Sequence, residues 1–346
     1  MLTLRSLRRP AVVAAATASL ALLLGACGSG ENDTTDAAAT PAAAAFPVTI
    51  TSSLGDAVIT EEPERIVTLG QGAAETAIAL GHIPVGVEDY EWGSDDTGYL
   101  PWVHEAITAK GAELPKEFTG GEELDIEAIV ELDPDVILAP WSGVTQEQFD
   151  LLSDIAPVVA YPGQAWTTPW QDEINIVAKA LGLPDKGADL IADIKKQLSD
   201  AAATRPDYAN HTFSYIYNTG PGTLGVFFPT EQRAEMVAAL GLKPDPIVDT
   251  FEEVEGTDSA LIGLEGAADK LKDTDVVFTF YSDAKNRKEI EAQPLYKAIP
   301  AIADGAIVAP TEQPFVTASS MINPLTVPWA IERFLPLIDE AVAKAK

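Results

Sequence analysis

One stretch of the chain, Pro184 to Ala203, carries the clearest helical pattern and constrains the fold most. Its apolar residues recur every three to four positions, along one face of a helix: Leu190, Ile191, Ile194, Leu198 and Ala201. Pro184 suits the first turn of a helix, because its missing N–H would have no partner there. A helix of this length spans about 30 Å, roughly the width of a small domain. Because strand-and-helix patterns lie both before and after it, we expect a rigid strut that joins two lobes.

The length and composition of the chain fit two globular lobes. Its 346 residues allow two domains, and a hydrophobic content of 47% is ordinary for a packed core. The formal net charge is −31, whereas a nucleic-acid partner requires a basic face, so we expect no such partner. The single cysteine, Cys27, excludes an internal disulfide and leaves too few thiols for a zinc ribbon or an iron–sulfur cluster.

The N-terminus has the parts of an export signal. Three arginines precede an apolar run from Ala11 to Leu24, which is too short to span a membrane comfortably. The run ends in Leu24-Gly25-Ala26-Cys27, which resembles the lipobox of bacterial lipoproteins, in which the cysteine receives a lipid and becomes the first residue. An ordinary secretory signal is the alternative. We expect residues 1–26 to be a lipoprotein signal peptide and residues 27–45 a flexible tether, rich in small and polar residues.

Short β-branched runs alternate with helical patterns on both sides of the strut. The predicted strands include Ile66–Leu69, Pro84–Val87, Asp135–Ala139 and Val158–Ala160 before it, and Thr212–Tyr217, Val276–Phe280 and Ile307–Ala309 after it. Alternating strands and helices indicate parallel pairing, so we predict two α/β lobes joined by a single long α-helix. The predicted boundaries are 46–168 for the N-terminal lobe, 169–205 for the connecting helical segment and 206–346 for the C-terminal lobe. Thr168 to Gln171 predicts a capping box that opens the first connecting helix.

Two pieces of the second half resemble pieces of the first. The segment Glu75–Gly81 resembles Glu235–Gly241, since each is a glutamate followed by a small-apolar run that ends in Leu-Gly. Glu127 stands ahead of Asp135-Val136-Ile137 as Glu265 stands ahead of Asp275-Val276-Val277, with Glu265 near the start of a helix predicted over Leu264–Leu271. A shared α/β rhythm is the alternative explanation. We expect the two glutamates at equivalent points of two similar lobes.

Aromatic residues predict a cleft between the lobes. Ligands of open α/β sheets bind beyond the carboxyl ends of the strands. Aromatic side chains concentrate at predicted strand ends and loops: Tyr90, Trp92, Trp141, Trp166, Tyr217, Phe227, Phe228 and Tyr281. As a set they suit a cleft with flat apolar walls, although core and rim positions are the alternative for each one. We select as ligand contacts Trp92, Trp141, Tyr217 and Tyr281, of which Trp141, directly after a buried strand, is the clearest.

Two polar residues complete the predicted ligand-binding set. Arg233 is one of few cations in an acidic lobe, which predicts either an ion pair with a nearby carboxylate or a fork for an anionic ligand. Gln71 lies between two glycines in Leu69-Gly70-Gln71-Gly72, where a strand turns into a helix. The third glycine of a dinucleotide fingerprint is missing, with Glu75 in its place, so we predict a tight turn whose N–H groups face a ligand.

We predict no catalytic residues, no metal ligands and no cofactor. The chain lacks a Gly-x-Ser-x-Gly nucleophile elbow, and its histidines form neither an i, i+4 pair nor a metal-ligand motif: His82, His104 and His211. An exported enzyme acting in the cleft stays as an alternative, because missing motifs leave hydrolysis unsupported rather than excluded.

Several blocks together resemble the siderophore-binding proteins of ABC importers, within the class III periplasmic-binding-protein family. The blocks are Pro63–Leu69, Glu75–Val87, Ile126–Leu138, Leu152–Val158 and Gln293–Ala301, and the resemblance covers about residues 46–340. It implies two α/β lobes bridged by one long helix, a ferric siderophore as ligand and an ABC permease as partner. It also implies that Glu127 and Glu265 dock onto arginines of the permease. Exposed glutamates favoured by the helix dipole are the alternative.

The resemblance and the export signal together predict a receptor that is lipid-anchored at the cell membrane on its extracytoplasmic side. It would deliver a ferric siderophore to the permease for iron import and perform no chemistry. Because the iron arrives already chelated, no protein ligand to the metal is required. Haem and cobalamin stay as alternative ligands, and the sequence does not distinguish catecholate, hydroxamate and carboxylate siderophores.

Overall fold

A computed structural model describes residues 45–220 and 222–346. The predicted signal peptide, the lipidation site Cys27 and all of the predicted tether except its last residue lie outside the described residues. Within the described part of the chain, none of the helices combines the length and the apolar character needed to cross a membrane.

The N-terminal lobe is a parallel sheet covered by helices. Its elements are β1 (Val48–Thr51), β2 (Asp56–Ile59), β3 (Ile66–Thr68), α1 (Ala73–Leu80), β4 (Gly86–Glu88), α2 (Pro101–Ala109), β5 (Lys116–Phe118), α3 (Ile126–Glu131), β6 (Val136–Ala139), α4 (Gln146–Ser153) and β7 (Val158–Ala160). Strands β1 and β2 form an antiparallel hairpin, and the other five pair in parallel in the order β5-β4-β3-β6-β7. The residues of β6 are all buried, as expected for a parallel strand covered on both faces.

Two consecutive helices connect the lobes, α5 (Trp170–Ala180) and α6 (Pro184–Ala203). Helix α6 begins at Pro184 and buries Ile194, Leu198 and Ala201 in the core of the C-terminal lobe, so the predicted strut is confirmed. The predicted capping box is wrong. Helix α5 begins at Trp170 after Pro169, and the Thr168 hydroxyl instead donates to the carbonyl of Pro140 at 2.6 Å.

The C-terminal lobe repeats the α/β plan with a mixed sheet. Its elements are β8 (Thr212–Tyr217), β9 (Gly225–Phe227), α7 (Gln232–Ala239), β10 (Lys243–Pro244), β11 (Ser259–Leu261), α8 (Ala267–Lys270), β12 (Val276–Phe278), α9 (Ala284–Ala292), α10 (Pro294–Lys297), α11 (Pro300–Asp304), β13 (Ile307–Val308), α12 (Gln313–Ala318) and α13 (Thr326–Val342). The strand order is β11-β9-β8-β12-β13, with β10 also paired to β8. Strands β8, β10, β12 and β13 pair in parallel, whereas β9 is antiparallel to both β8 and β11. Two α/β lobes joined by one long helix are the fold class that the sequence predicted.

The lobes also touch directly through a buried apolar cluster. Residues of α1 and α2 pack against residues of α12, α13 and the segment between these two helices: Ile78, Trp102, Val103 and Ile107 on one side, and Ala318, Met321 and Ala330 on the other. The ring centroids of Trp102 and Trp329 lie 5.5 Å apart in an edge arrangement. The lobes are therefore held together by packing as well as by α6. The exact lobe boundaries stay a prediction.

Candidate ligand-binding site

A cavity of about 550 Å³ lies between the lobes. On one side it is lined by residues that follow β6 and β7, and on the other by residues of β9, the start of α7 and the loop before β11: Trp141, Gln164, Trp166 and Thr168 face Phe227, Glu231, Arg233 and Asp258. Its size is in the range that holds a small-molecule ligand, and it opens beyond the ends of sheet strands, where α/β folds bind ligands.

Two tryptophans form the apolar wall of the N-terminal lobe. The ring centroids of Trp141 and Trp166 are 4.8 Å apart, with an interplanar angle of 72°. Trp166 has a backbone φ of 63°, which is rare for a large side chain, yet its ring remains 47% exposed. A Cβ added at Gly143 would lie 2.7 Å from the Trp166 indole nitrogen, so any larger residue there would force the ring to move. An exposed aromatic ring on a backbone held in a rare conformation is the kind of feature that marks a ligand site.

Arg233 provides the charged contact of the opposite wall. It lies in the first turn of α7, and its guanidinium carbon stands 4.9 Å from the ring centroid of Phe227 and 5.5 Å from that of Phe280. The guanidinium also pairs with Glu231, whose carboxylate accepts from the Arg233 backbone N–H at 2.8 Å. The predicted ion pair therefore forms. Within the described residues the buried Arg233 Nε has no hydrogen-bond partner, so one donor of this side chain is unused.

Burial and charge oppose each other within this pair. Burial alone would lower the pKa of Arg233, but the charge of Glu231 and the nearby Tyr215 outweigh it and raise that pKa, so the guanidinium stays protonated. Burial raises the pKa of Glu231, against the opposing influence of Arg233. The result is a fixed and nearly cancelled pair of charges at the cavity wall.

Tyr90 links the strand-to-helix turn of the N-terminal lobe to Arg233. Burial raises the pKa of Tyr90, while the side chain of Gln71 and the charge of Arg233 act in the opposite direction. The backbone N–H of Gln71 donates to the carbonyl of Trp141 at 3.3 Å. The structure therefore brings Gln71, Tyr90, Trp141 and Arg233 into one neighbourhood.

The backbone of this turn does not face a ligand, contrary to the prediction. The N–H of Gly70 donates to Glu88 Oε2 at 2.7 Å, and that of Gly72 donates to Glu75 Oε2 at 3.1 Å. Because these groups and the N–H of Gln71 are already bonded, they offer no cradle for a phosphate. Gly70 has a φ of 74°, and a Cβ there would lie 2.1 Å from the Trp141 carbonyl, which explains why this position needs glycine.

Gln71 is not among the residues that line the cavity, and the remaining three predicted ligand contacts also lie outside its lining. Tyr217 stacks behind Phe227, with ring centroids 4.6 Å apart, and its hydroxyl is hydrogen-bonded to Ser259 Oγ at 2.9 Å. Tyr281 is buried against Tyr296, with 2.8 Å between the two hydroxyls, and borders a separate hollow of about 340 Å³. Trp92 is half-buried in the loop after β4. A ligand role for these three residues stays a prediction.

The two predicted docking glutamates are exposed, and neither lines the interlobe cavity. Glu127 lies in the first turn of α3, where Asp125 caps the helix, and borders a hollow of about 580 Å³ rich in carboxylates. Glu265 does not lie at a helix start as predicted. Helix α8 begins only at Ala267, because Gly266, directly after Glu265, adopts a left-handed φ of 75° that a helix cannot include.

The cavity neighbours that sequence reasoning left unselected include Trp166, Tyr90 and Glu231. Glu231 had a visible signal, since an acidic residue two positions before Arg233 suits a helix N-cap that could pair with it. The partnership of Trp166 with Trp141 depends on how the segment between β7 and α5 folds back, which no local pattern records. Within the described residues no group of three or more His, Cys, Asp or Glu is arranged to hold a metal ion.

Comparison with known proteins identifies the family. A model of the periplasmic binding protein family matches residues 66–314. The "Probable siderophore-binding lipoprotein YfiY" of Bacillus subtilis is 31% identical over 261 residues, which cover 71% of this chain and 74% of that protein. The ferric enterobactin-binding periplasmic protein FepB of Escherichia coli is 25% identical over 280 residues, 77% of this chain and 85% of that one.

A solved structure gives the same result. The structure of PiaA from Streptococcus pneumoniae, in complex with ferrichrome, superposes with a TM-score of 0.77 at 32% sequence identity, covering 86% of this chain and 99% of that one. The chain therefore belongs to the periplasmic binding protein family.

Proposed function

We propose that this protein captures a ferric siderophore in the cavity between its lobes and delivers it to an ABC permease for iron import. The observation that carries the proposal is the pairing of the Trp141–Trp166 wall, in which Trp166 is exposed, with Arg233, whose Nε lacks a partner within the described residues. Names of relatives support it, since one is called a siderophore-binding lipoprotein and another was solved with ferrichrome.

The arrangement suits capture by a rigid site. The tryptophan rings offer flat apolar surface to the organic shell of a chelate, while Arg233 donates to the negatively charged oxygens that surround the iron. Phe227 and Phe280 flank the guanidinium and limit its movement, so little freedom is lost when the ligand binds. Binding of this kind requires no chemical step.

A titration with a small ligand panel tests this function. Quenching of the intrinsic tryptophan fluorescence would be followed on adding ferric siderophores, haem and cobalamin, with the iron-free siderophores as controls. We expect saturable binding of at least one ferric siderophore and none of haem.

A cobalamin-binding protein of Halobacterium salinarum is 29% identical over 194 residues, 52% of this chain. Tight binding of cobalamin alone would therefore replace the siderophore as the ligand. Steady formation of a modified product would instead favour the exported enzyme.

Docking to the permease is the second part of the proposal. Glu127 and Glu265 are both exposed, one on each lobe, and precede the central strands β6 and β12. Carboxylate–arginine pairs at an interface are directional and often bidentate, so one pair per lobe would fix the orientation of the receptor on its permease. Neither residue lines the interlobe cavity, so their removal should separate uptake from ligand binding.

Lipid anchoring is the third part and rests on the lipobox resemblance around Cys27. A relative named as a lipoprotein supports it. Cys27→Ala should yield a protein that carries no lipid label and is unprocessed or released from the membrane. Continued lipid labelling of that variant would show the anchor assignment to be wrong.

A further inference from the structure

The charges around the interlobe cavity are strongly unequal. Four carboxylates line it, from Glu231, Glu235, Glu253 and Asp258, whereas Arg233 is the only cationic side chain in the lining as far as the chain is described. Lys195 does not line the cavity; its Nζ lies 5.9 Å from the centroid of the Trp170 ring. The chain as a whole carries a formal charge of −31, so the surroundings reinforce this negative field.

Neutral donors hold two of these carboxylates in place, those of Glu235 and Asp258. Glu235 accepts from the Trp170 indole at 2.9 Å and from the Gln171 amide at 3.1 Å, and Asp258 accepts from the Thr230 hydroxyl at 2.7 Å. Hydrogen bonds from neutral groups position a carboxylate without cancelling its charge. Only Glu231 is paired with a cation, and that cation is Arg233 itself. The cavity can therefore donate hydrogen bonds through Arg233 without presenting a net positive charge.

Ferric siderophores differ in net charge according to their chelating groups. Three hydroxamates carry one negative charge each and cancel Fe³⁺, whereas three catecholates carry two each and leave the complex with a charge of −3. A triply negative complex would meet uncompensated carboxylates across a partly desolvated cavity, where like charges repel more strongly than in water. A neutral complex meets no such repulsion.

We propose that the cavity selects ferric complexes of neutral or positive net charge, of the tris-hydroxamate class, and rejects triply anionic tris-catecholate complexes. This inference rests on the proposed siderophore function and adds the substrate class. Glu231 sets the selectivity by cancelling the charge of Arg233 while leaving its Nε available, and Glu253 and Asp258 supply the field that repels anions.

The test compares three probes of known charge on the purified protein. Ferrichrome is neutral, ferrioxamine B is cationic through its amine, and ferric enterobactin carries −3. We expect the first two to bind at least about a hundredfold more tightly than the third at low ionic strength, with the ratio shrinking as salt is added. Equal or tighter binding of ferric enterobactin would overturn the inference and leave the proposed function intact. Failure of all three to bind would also overturn the inference, and the wider siderophore panel would then decide the proposed function.

Substitutions separate a charge effect from a steric one. Glu253→Gln with Asp258→Asn removes two charges at nearly constant shape, and asparagine tolerates the φ of 49° at position 258. The ratio of enterobactin to ferrichrome affinity should rise about tenfold. Glu252→Gln is the matched control, because Glu252 is an exposed neighbour that does not line the cavity, and it should leave the ratio within about twofold. If neither the double variant nor salt moves the ratio, rejection is steric and the charge inference is wrong.

Discussion

Each lobe places a glutamate in the first turn of a similar helix, and the two glutamates have different surroundings. In α1, Glu75 is buried and accepts from the Trp102 indole at 2.9 Å. In α7, Glu235 accepts from the Trp170 indole, also at 2.9 Å, but lines the interlobe cavity. Each helix is followed by a glycine of positive φ six residues after its glutamate. The repeated element keeps the scaffold, while its surroundings decide whether the carboxylate is sealed in or exposed to a ligand.

The turns that lead into these helices differ in the same way. Before α1, the N–H groups of Gly70 and Gly72 are bonded to carboxylates of the same lobe. Before α7, Glu231 caps the helix and forms an ion pair with Arg233, which holds the guanidinium at the cavity wall. The N-terminal lobe therefore contributes shape, through Trp141 and Trp166, and the C-terminal lobe contributes charge.

The largest effect is expected where both lobes act together, in docking. Glu127→Ala with Glu265→Ala should abolish uptake of the ferric ligand, because in the proposed docking each loss would leave an arginine of the permease without its partner, at a cost of about 2–5 kcal/mol for a well-buried pair. Ligand affinity in solution should stay within about threefold, since neither residue lines the cavity. Uptake would be measured with radioactive iron in cells, and normal transport by the double variant would contradict the assignment. If the two lobes contribute equally, each single variant should lose a similar fraction of the uptake rate.

Shape in the N-terminal wall is tested at Gly143. Gly143→Ala places a methyl group 2.7 Å from the Trp166 indole nitrogen, so the ring must move. We expect ligand affinity to fall about tenfold, measured by titration calorimetry. Gly163→Ala is the control, because a Cβ there meets nothing within 4 Å. An equal loss in both variants would show that the wall does not depend on the position of this ring.

The buried carboxylate of Glu173 makes the stability of the fold depend on pH. Glu173 is 4% exposed, its Oε1 has no partner within the described residues, and burial together with the charge of Glu75 raises its pKa well above the ordinary value. The folded state thus holds a proton that the unfolded state releases at lower pH, so stability falls as pH rises from the ordinary glutamate range toward the raised pKa.

Glu173→Gln should remove that loss. The free energy of unfolding should rise by about 1–3 kcal/mol at neutral pH, with almost no gain near pH 3, below the ordinary glutamate pKa, where both states are protonated. Urea denaturation across this pH range measures the effect. Asp172→Asn, at the exposed neighbouring position, serves as the control, and a gain that did not depend on pH would contradict the protonation argument.

The smallest expected effect concerns an aspartate that each lobe uses to fix the start of a strand. Asp135 accepts from the N–H groups of Glu64 and Arg65 at 2.7 and 2.9 Å, and Asp275 accepts from the N–H of Thr212 at 2.7 Å. Each aspartate thereby fixes the start of the neighbouring strand, β3 or β8. Asp135→Ala and Asp275→Ala should each lower the free energy of unfolding by about 1 kcal/mol, as measured by urea denaturation. Clearly unequal losses would mean that the two aspartates, although they match in sequence, do not have equivalent structural roles.

The fold was largely predictable because its signals are local. The strut from Pro184 to Ala203 has a proline start and a single apolar stripe, and both appear unchanged in α6. Short strands such as β9 and β11 were missed, since each has only three residues and carries little pattern of its own. The helix predicted from Leu264 begins later because one glycine takes a left-handed conformation.

The site was predictable only in part. Trp141 and Arg233 follow from local rules, because one ends a buried strand and the other is a rare cation in an acidic lobe. Tyr281 satisfied the same aromatic rule, yet it is buried against Tyr296. Which aromatic side chains face the cavity depends on contacts between distant segments, such as those that bring Trp166 to Trp141, and a local pattern does not encode them.

The central claim is that the ligand binds between the lobes against Arg233. Two arginines of the C-terminal lobe give a matched comparison, because Arg287 stacks on Tyr281 at 5.4 Å and pairs with Glu291 at 2.8 Å, but borders the separate hollow. Calorimetric titration with a ferric siderophore should show that Arg233→Gln weakens binding about a hundredfold, or about 2.7 kcal/mol, and that Arg287→Gln changes it less than threefold. A large loss in Arg287→Gln with none in Arg233→Gln would place the ligand elsewhere and contradict the account.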